Sequence, residues 1–373
     1  MTKMFATEEH EARIAAVRKL MAQAGADALL VDSLEHMVYL FGYAPPAAIY
    51  QCAVLPQSRA PFAIVRRLDE PTFREQSWLA DYTTFSDVED PIDALQRAIS
   101  DKGLSRAAIA VELDSHFLPV GRFRSIEKAL PDARFIDFSG RIRELRLIKS
   151  ERELAYIRQA AVIADRAMHA AVEAAGAGVS ERECAAALYA EALRAGADNG
   201  RNALIASGKR SDSLHGRLGS HTLEEGDVLH VESLPLVGGY GARLMRSTSI
   251  GTPSSQMKDD AKRLIEYQDR QFEEMKPGAS ASAVDARLRD AVLKSGLRDR
   301  YDNVTGYTLG FIGLPVTSDF TRAFKPESSW SLEPGMVFHM YTYAKGLAFS
   351  DTVAITRDGA EIMTKTPRRL FVR

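Results

Sequence analysis

From residue 150 onward the chain reads as two long helical segments, a pair of strands turned at Gly238-Gly239, two more helical segments and a closing set of strands. Few architectures accept that order. The helical segments span residues 150–174, 180–195, 255–275 and 282–295, and the third stops before Pro277-Gly278. Ser180 is placed as an N-cap with Glu183 three residues later, the pattern of a capping box. The closing strands fall at residues 305–310, 335–343, 349–356 and 360–364. Helix pair, hairpin, helix pair, strands is the order expected of two similar halves around one curved antiparallel sheet covered by helices.

The chain before this point has a different grammar. Ile14, Val17, Leu20 and Met21 recur at helical spacing and are followed by Gly25-Ala26-Asp27, which ends the helix. The apolar run at residues 28–32 predicts a buried strand, and runs at 49–55 and 61–65 predict a hairpin. Helical segments near 91–100 and 120–130 then alternate with strands at 107–112 and 133–139. The fold class is therefore α/β (α+β), with an N-terminal α/β domain over residues 1–145 and a second domain over 146–373. The charged, glycine-free transition around Arg141, Arg143, Arg146 and Lys149 marks the division.

Composition removes several functions. A formal charge of -2 with 46% hydrophobic residues describes a globular protein, and the basic clusters are short and interleaved, so no nucleic-acid partner is expected. No apolar run approaches the roughly 18 residues that span a bilayer, and residues 1–13 are too polar for a secretory signal. Cys52 and Cys184 lie in unrelated contexts, which excludes a disulfide framework and a thiolate metal site. A cytoplasmic location is expected.

The polar residues of residues 203–247 carry the chemistry. This stretch reads as a loop bearing His215, an acidic turn ending at Gly226-Asp227, and two short strands that present Glu232 and Arg243. An acid, a base and a histidine thus fall within reach of one pocket. The competing reading of Glu232 and Arg243 is a buried structural ion pair. His10, His36, His116, His169, His221 and His230 are read as surface or core residues, and Met245 as packing.

Several segments resemble the creatinase/prolidase family, the peptidase M24-like or pita-bread fold. They are RELRLIKSERELAYIRQA, SGKRSDSLHG, EEGDVLHVES, GGYGARLMRS, TGYTLG, LEPGMVFHM and SDTVAITRDGAE, in the family's order across essentially the whole chain. Most members hold two metal ions with two Asp, one His and two Glu. The resemblance places these five positions on Glu232, Arg243, Tyr307, Tyr341 and Ser350, so only one metal-binding side chain survives. A dinuclear metallopeptidase is not expected, and no metal or other cofactor is implied.

The metal-free creatinase and ectoine hydrolase branches are more similar. Creatinases align without a gap over residues 207–247 and keep the histidine that falls on His215, although their two catalytic glutamates fall on Met245 and Tyr341. Ectoine hydrolases share an acid at Glu232, a tyrosine at Tyr240, a GYSIG-like match to GYTLG and the Phe338-His339 pair. The chain departs from them at Arg243 and at Tyr341-Thr342-Tyr343.

The resemblance implies a metal-independent hydrolase acting on a C–N bond, amidine, guanidine or amide, of a small amino-acid-like substrate. His215 is the candidate for proton transfer, Glu232 for the base or the amidinium-binding group, and Arg243 for a substrate carboxylate. Tyr307 and Tyr341 are assigned to stabilising developing charge. Residues two apart on a strand share a face, which brings His339 and Tyr343 to the Tyr341 side. The tyrosines equally fit a volume-filling role. A homodimer is implied, in which Tyr43 or Tyr50 of the loop FGYAPPAAIY approaches the partner's pocket; a plain surface turn is the competing reading. A catalytically inactive pseudo-peptidase serving as a binding or regulatory module, and a lyase on a small carboxylate, fit the same losses.

Overall fold

A computed structural model describes residues 4–198, 203–313 and 318–373, so the first three residues of the N-terminal stretch lie outside it. The chain divides into two compact units, one ending at Arg146 and one beginning at Leu147, with Gly313 grouped with the first.

The first unit contains helices α1 (Thr7–Ala24), α2 (Leu34–Phe41), α3 (Glu70–Gln76), α4 (Pro91–Asp101), α5 (Val120–Ala129) and α6 (Arg141–Leu145). Its strands are β1 (Ala28–Val31), β2 (Cys52–Pro56), β3 (Phe62–Arg66), β4 (Tyr82–Phe85), β5 (Ala108–Val111) and β6 (Arg134–Asp137), in one sheet of order β4-β3-β2-β1-β5-β6. The unbroken apolar run of β1 has a direct cause. Leu29 and Val31 pack into one core with Ile14, Val17 and Met21 of α1, whereas Ala28 and Leu30 pack into another with Leu95 and Ile99 of α4. A strand covered on both faces loses its alternation. Gly25 ends α1 in the left-handed region at φ 67°. Edge strand β4, by contrast, is mostly uncovered and only four residues long, so it lacks the apolar run that marks the central strands.

The second unit contains helices α7 (Glu151–Ala174), α8 (Glu181–Arg194), α9 (Ser255–Glu273) and α10 (Ala281–Lys294). Its strands are β7 (Ala203–Ser207), β8 (Val228–Ser233), β9 (Leu236–Val237), β10 (Tyr240–Gly241), β11 (Leu244–Ser249), β12 (Gly306–Thr308), β13 (Ala323–Phe324), β14 (Val337–Ala344), β15 (Leu347–Ile355), β16 (Ala360–Ile362) and β17 (Phe371–Val372). The main sheet runs β13-β12-β14-β15-β11-β8-β7, with β16 on β15 and β17 on β11. Strand β7 was not anticipated, because its residues open a stretch whose loop signals dominate.

Helix capping also differs from expectation. Ser180 caps α8 by accepting the Arg182 N–H at 3.2 Å, so the box with Glu183 does not form. The reciprocal box belongs to α7, where Ser150 Oγ accepts the Glu153 N–H and Glu153 Oε2 accepts the Ser150 N–H. Glu153 reaches further, taking the Tyr240 hydroxyl on Oε1 at 2.8 Å and tying α7 to the small β9-β10 hairpin. The turn of that hairpin needs glycine at 239: its φ is +76°, and a Cβ would meet the Phe311 ring at 2.2 Å. Asp198 holds the turn by accepting both glycine N–H groups.

Candidate active site

The main sheet sorts its residues by parity. On β8, Leu229 and Val231 enter the core with Ile163, Ala167 and Leu188 of α7 and α8, which sends His230 and Glu232 to the opposite face. On β14, Phe338 and Met340 pack with Phe272 of α9 and Val284 of α10, which sends His339 and Tyr341 the same way. Leu244 and Phe349 are helix-facing, so Met245 and Ser350 join the opposite face. Register completes the set: Met245 lies opposite Glu232 and Ser350, Ser350 opposite Tyr341, and His339 opposite Tyr307.

Two hydrogen-bonded groups stand on this face. Glu232, wholly buried, accepts Arg243 Nη1 on Oε1 at 2.8 Å. Its Oε2 has no partner among the described residues. Arg243 donates from Nη2 to Ser318 Oγ at 2.9 Å and places its guanidinium 5.7 Å from the Tyr307 ring centroid. Burial opposes its charge, but the neighbouring Tyr307 and Glu232 outweigh burial and hold its pKa above the ordinary value. The backbone at Arg243 is fixed by Thr352, whose hydroxyl accepts the Arg243 N–H at 2.8 Å and donates to its carbonyl at 2.9 Å.

The second group is a chain of one-proton donors. Ser350 Oγ accepts the Met245 N–H at 2.7 Å and lies 2.7 Å from His339 Nε2, while His339 Nδ1 lies 2.9 Å from the Tyr307 hydroxyl. With the ring proton on Nδ1, Ser350 donates to Nε2 and His339 donates to the Tyr307 hydroxyl, which also meets the Ser318 hydroxyl; with the proton on Nε2 the two directions reverse. Burial and the Arg243 cation push the His339 pKa well below its ordinary value, which keeps the imidazole neutral. Burial raises the Tyr307 phenol, and Arg243 opposes that rise. Tyr341 stacks on His339 at 5.4 Å, and its hydroxyl accepts from Asn303 Nδ2 at 3.2 Å.

Five of the sequence-predicted residues thus converge: Glu232, Arg243, Tyr307, His339 and Tyr341. Others do not. His215 is exposed on the loop after β7 and makes no hydrogen bond among the described residues. Tyr343 points to the edge of the group, under the Arg298 guanidinium at 4.3 Å, and accepts a hydrogen bond from it. Tyr43 and Tyr50, expected to reach outward, are instead enclosed in the first unit. Tyr43 donates to Gln51 at 2.9 Å and sits edge-on to Phe73, and Tyr50 donates to Asp32 at 3.0 Å beneath the Arg122 guanidinium. Their hydroxyls are spent on internal carbonyl and carboxylate acceptors, so these two side chains line no outward surface.

His230, read as a surface or core residue, is a core residue on the sheet's polar face. It is fully buried on the same face as Glu232, and neither ring nitrogen has a hydrogen-bond partner among the described residues. Burial, reinforced by the charge on nearby His215, lowers its pKa to about 4. The spacing of two from Glu232 was the available signal. Ser318 and Asn303, which orient Arg243 and Tyr341, gave none.

An antiparallel main sheet with helix pairs on one side and polar residues on the other, in a chain that also has a separate α/β unit, is the architecture of the pita-bread fold. Residues 155–357 match metallopeptidase family M24, and residues 13–148 match the creatinase/prolidase N-terminal domain. The chain belongs to family M24. It is 26% identical to the ectoine hydrolase of Halomonas elongata over 99% of this chain and 98% of that protein. It is also 26% identical to the Xaa-Pro dipeptidase of Pyrococcus horikoshii over 96% of this chain and 98% of that protein. The solved prolidase of Thermococcus sibiricus superposes with a TM-score of 0.87 at 24% identity, covering 99% and 100% of the two chains.

The family name implies metal ions, and the donor set can be tested for them. Of the five positions that correspond to ligands, Glu232 alone offers a carboxylate, and a guanidinium nitrogen already lies 2.8 Å from it. The other four present a guanidinium, two phenols and a hydroxyl that is engaged with His339. No group of three or more His, Cys, Asp or Glu side chains suited to a metal ion occurs among the described residues. Divalent ions need several anionic or imidazole ligands at once, so these residues do not fit a two-metal centre.

Proposed function

We propose that this chain hydrolyses a C–N bond of a small amino-acid-like compound without a metal ion. The observation that carries the reading is the Glu232–Arg243 pair: a fixed cation holds one carboxylate oxygen at 2.8 Å while the other oxygen stays unpartnered among the described residues. An ectoine hydrolase and an Xaa-Pro dipeptidase are equally similar at 26% identity, and the lack of a two-metal donor set among the described residues is what favours the metal-free reading.

The steps follow from the groups present. Arg243 attracts a substrate carboxylate. Glu232 Oε2 removes a proton from water, and the water oxygen bonds to the amide or amidine carbon as the π pair moves onto the attached heteroatom. The Tyr307 hydroxyl donates a hydrogen bond to that heteroatom as charge develops. The intermediate collapses, the C–N bond breaks, and the leaving nitrogen takes the proton held by Glu232, which returns to its starting state. His339 is a positioning residue, acting through Tyr307.

The exposed position of His215 favours a second reading, a binding module that does not turn its ligand over. One assay separates the two. Chelator-treated protein is offered cyclic amidines, guanidines and N-acyl amino acids, and release of the nitrogen product is followed. The expected outcome is turnover of at least one compound class that is unchanged by chelator. Turnover that requires an added divalent ion overturns the proposal, and saturable binding without turnover supports the second reading.

A further inference from the structure

His230 is a costly residue to keep where it is. Its imidazole is wholly buried with both nitrogens unpartnered among the described residues, so each polar group has lost its water without gaining a hydrogen bond. A leucine would pack there without that penalty. Its cross-strand neighbours offer no relief: Ala206 on β7 is apolar, and Ser247 on β11 is occupied, accepting the Ala348 N–H at 2.9 Å and donating to its carbonyl.

The loop that carries His215 packs against the neighbouring strand. A Cβ placed on Gly216 would lie 3.1 Å from the Ala206 methyl, so the loop is pressed onto the strand beside His230. Glu181, itself wholly buried, holds that loop by accepting from Ser207 Oγ, Arg210 Nη2 and the Gly219 N–H. The imidazole is buried yet unpaired among the described residues. Two strand residues away on the same face, Glu232 Oε2 is in the same condition.

We infer that His230 and Glu232 Oε2 form one subsite for an uncharged planar C–N group, an amide, urea or neutral amidine. An N–H of that group donates to Glu232 Oε2, and its other heteroatom accepts the N–H of the neutral imidazole. A carboxylate, which has no N–H, satisfies only half of the pair. The low pKa of His230, about 4, agrees with a histidine that binds as a neutral donor. The inference rests on the hydrolase reading for the nature of the bond presented at Glu232, but it assigns recognition to a residue outside the reaction steps given above.

The test uses the full chain with isotope-labelled histidine and acetamide as the probe, with acetate as the control. Acetamide is expected to shift the His230 ring resonances saturably, whereas acetate leaves them in place. His230→Leu is expected to weaken acetamide binding at least tenfold, with His230→Gln intermediate. Absence of a saturable shift at His230, or equal binding by His230→Leu, overturns the inference. Turnover of the C–N panel without the His230 shift leaves the hydrolase reading intact and removes this one. A His230 shift without turnover does the reverse.

Discussion

Two buried ion pairs stand on opposite faces of the same sheet, and they differ in how completely they are satisfied. Arg246 and Asp351 lie on the helix-facing side, both with no exposed surface. The Arg246 guanidinium donates to Asp351 Oδ1 at 2.9 Å and to the carbonyls of Met245, Ser350, Thr366 and Pro367. Asp351 also accepts from Thr364 and Arg368. Glu232 and Arg243, on the other face, leave a carboxylate oxygen open. The saturated pair locks strands β11 and β15 to the C-terminal segment; the unsaturated pair is built to meet something else. A buried polar group that fails to find a partner costs free energy, so the difference separates scaffold from site.

Exchanging charges in the two pairs should break different properties. Glu232→Gln keeps an acceptor for Arg243 but removes the base, and turnover is expected to fall about 10²–10⁴-fold, measured as kcat on whichever compound the panel identifies. Its melting temperature should move less than that of Arg246→Ala. In Arg246→Ala, Asp351 keeps Arg368 but loses its partner on β11, and four carbonyls lose their donor, at an expected cost of about 3–5 kcal/mol in urea unfolding. If Glu232→Gln destabilises as much as Arg246→Ala while activity persists, the pair on the open face is structural as well.

The same contrast explains what the sequence disclosed. Glu232 and Arg243 were legible because each stands in a strand where a charge is out of place, and the alternation of β14 brought His339 and Tyr341 to their side. Helices of the second unit were legible from long apolar periodicity. The missing partners of the buried His230 were not legible, because they depend on the packed neighbours Ala206 and Ser247. Ser318 and Asn303 come from segments without regular structure, so no periodicity announces them. The direction of Tyr43 and Tyr50 was decided by Gln51 and Asp32, acceptors that a loop reading does not weigh.

Acid titration should sharpen the comparison by dividing the two units. His230 has a folded pKa of about 4 against about 6.5 when unfolded, so the unfolded chain binds more protons and stability falls as pH drops through that interval. Asp32, in the first unit, is the opposite case. Burial raises its folded pKa to about 6, so the folded form binds the extra proton and this residue's contribution improves as pH falls from 6 toward 4. Each contribution is bounded by about 1.4 kcal/mol per pH unit. Hydrogen exchange in each unit, compared with His230→Leu and Asp32→Asn, should show the acid loss vanishing from the second unit in the first variant and the acid gain vanishing from the first unit in the other. Parallel pH profiles for variant and parent would refute the assignment.

The smallest expected effect comes from the tyrosines. Tyr43 and Tyr307 are both buried phenols with raised pKa, burial being the leading cause in each. Tyr43 donates its proton to Gln51 Oε1 and has nothing left to offer, whereas Tyr307 retains its proton in the tautomer where His339 Nδ1 donates to it. Tyr43→Phe should therefore cost about 1 kcal/mol of stability, the worth of one internal hydrogen bond, and leave kcat and KM unchanged. Tyr307→Phe should cost a similar amount in unfolding but lower kcat, because the hydroxyl it removes faces the reacting group. Equal kinetic behaviour of the two variants would mean that the Tyr307 proton is as fully spent as that of Tyr43, with Tyr307 donating to His339 Nδ1 and His339 Nε2 donating to Ser350.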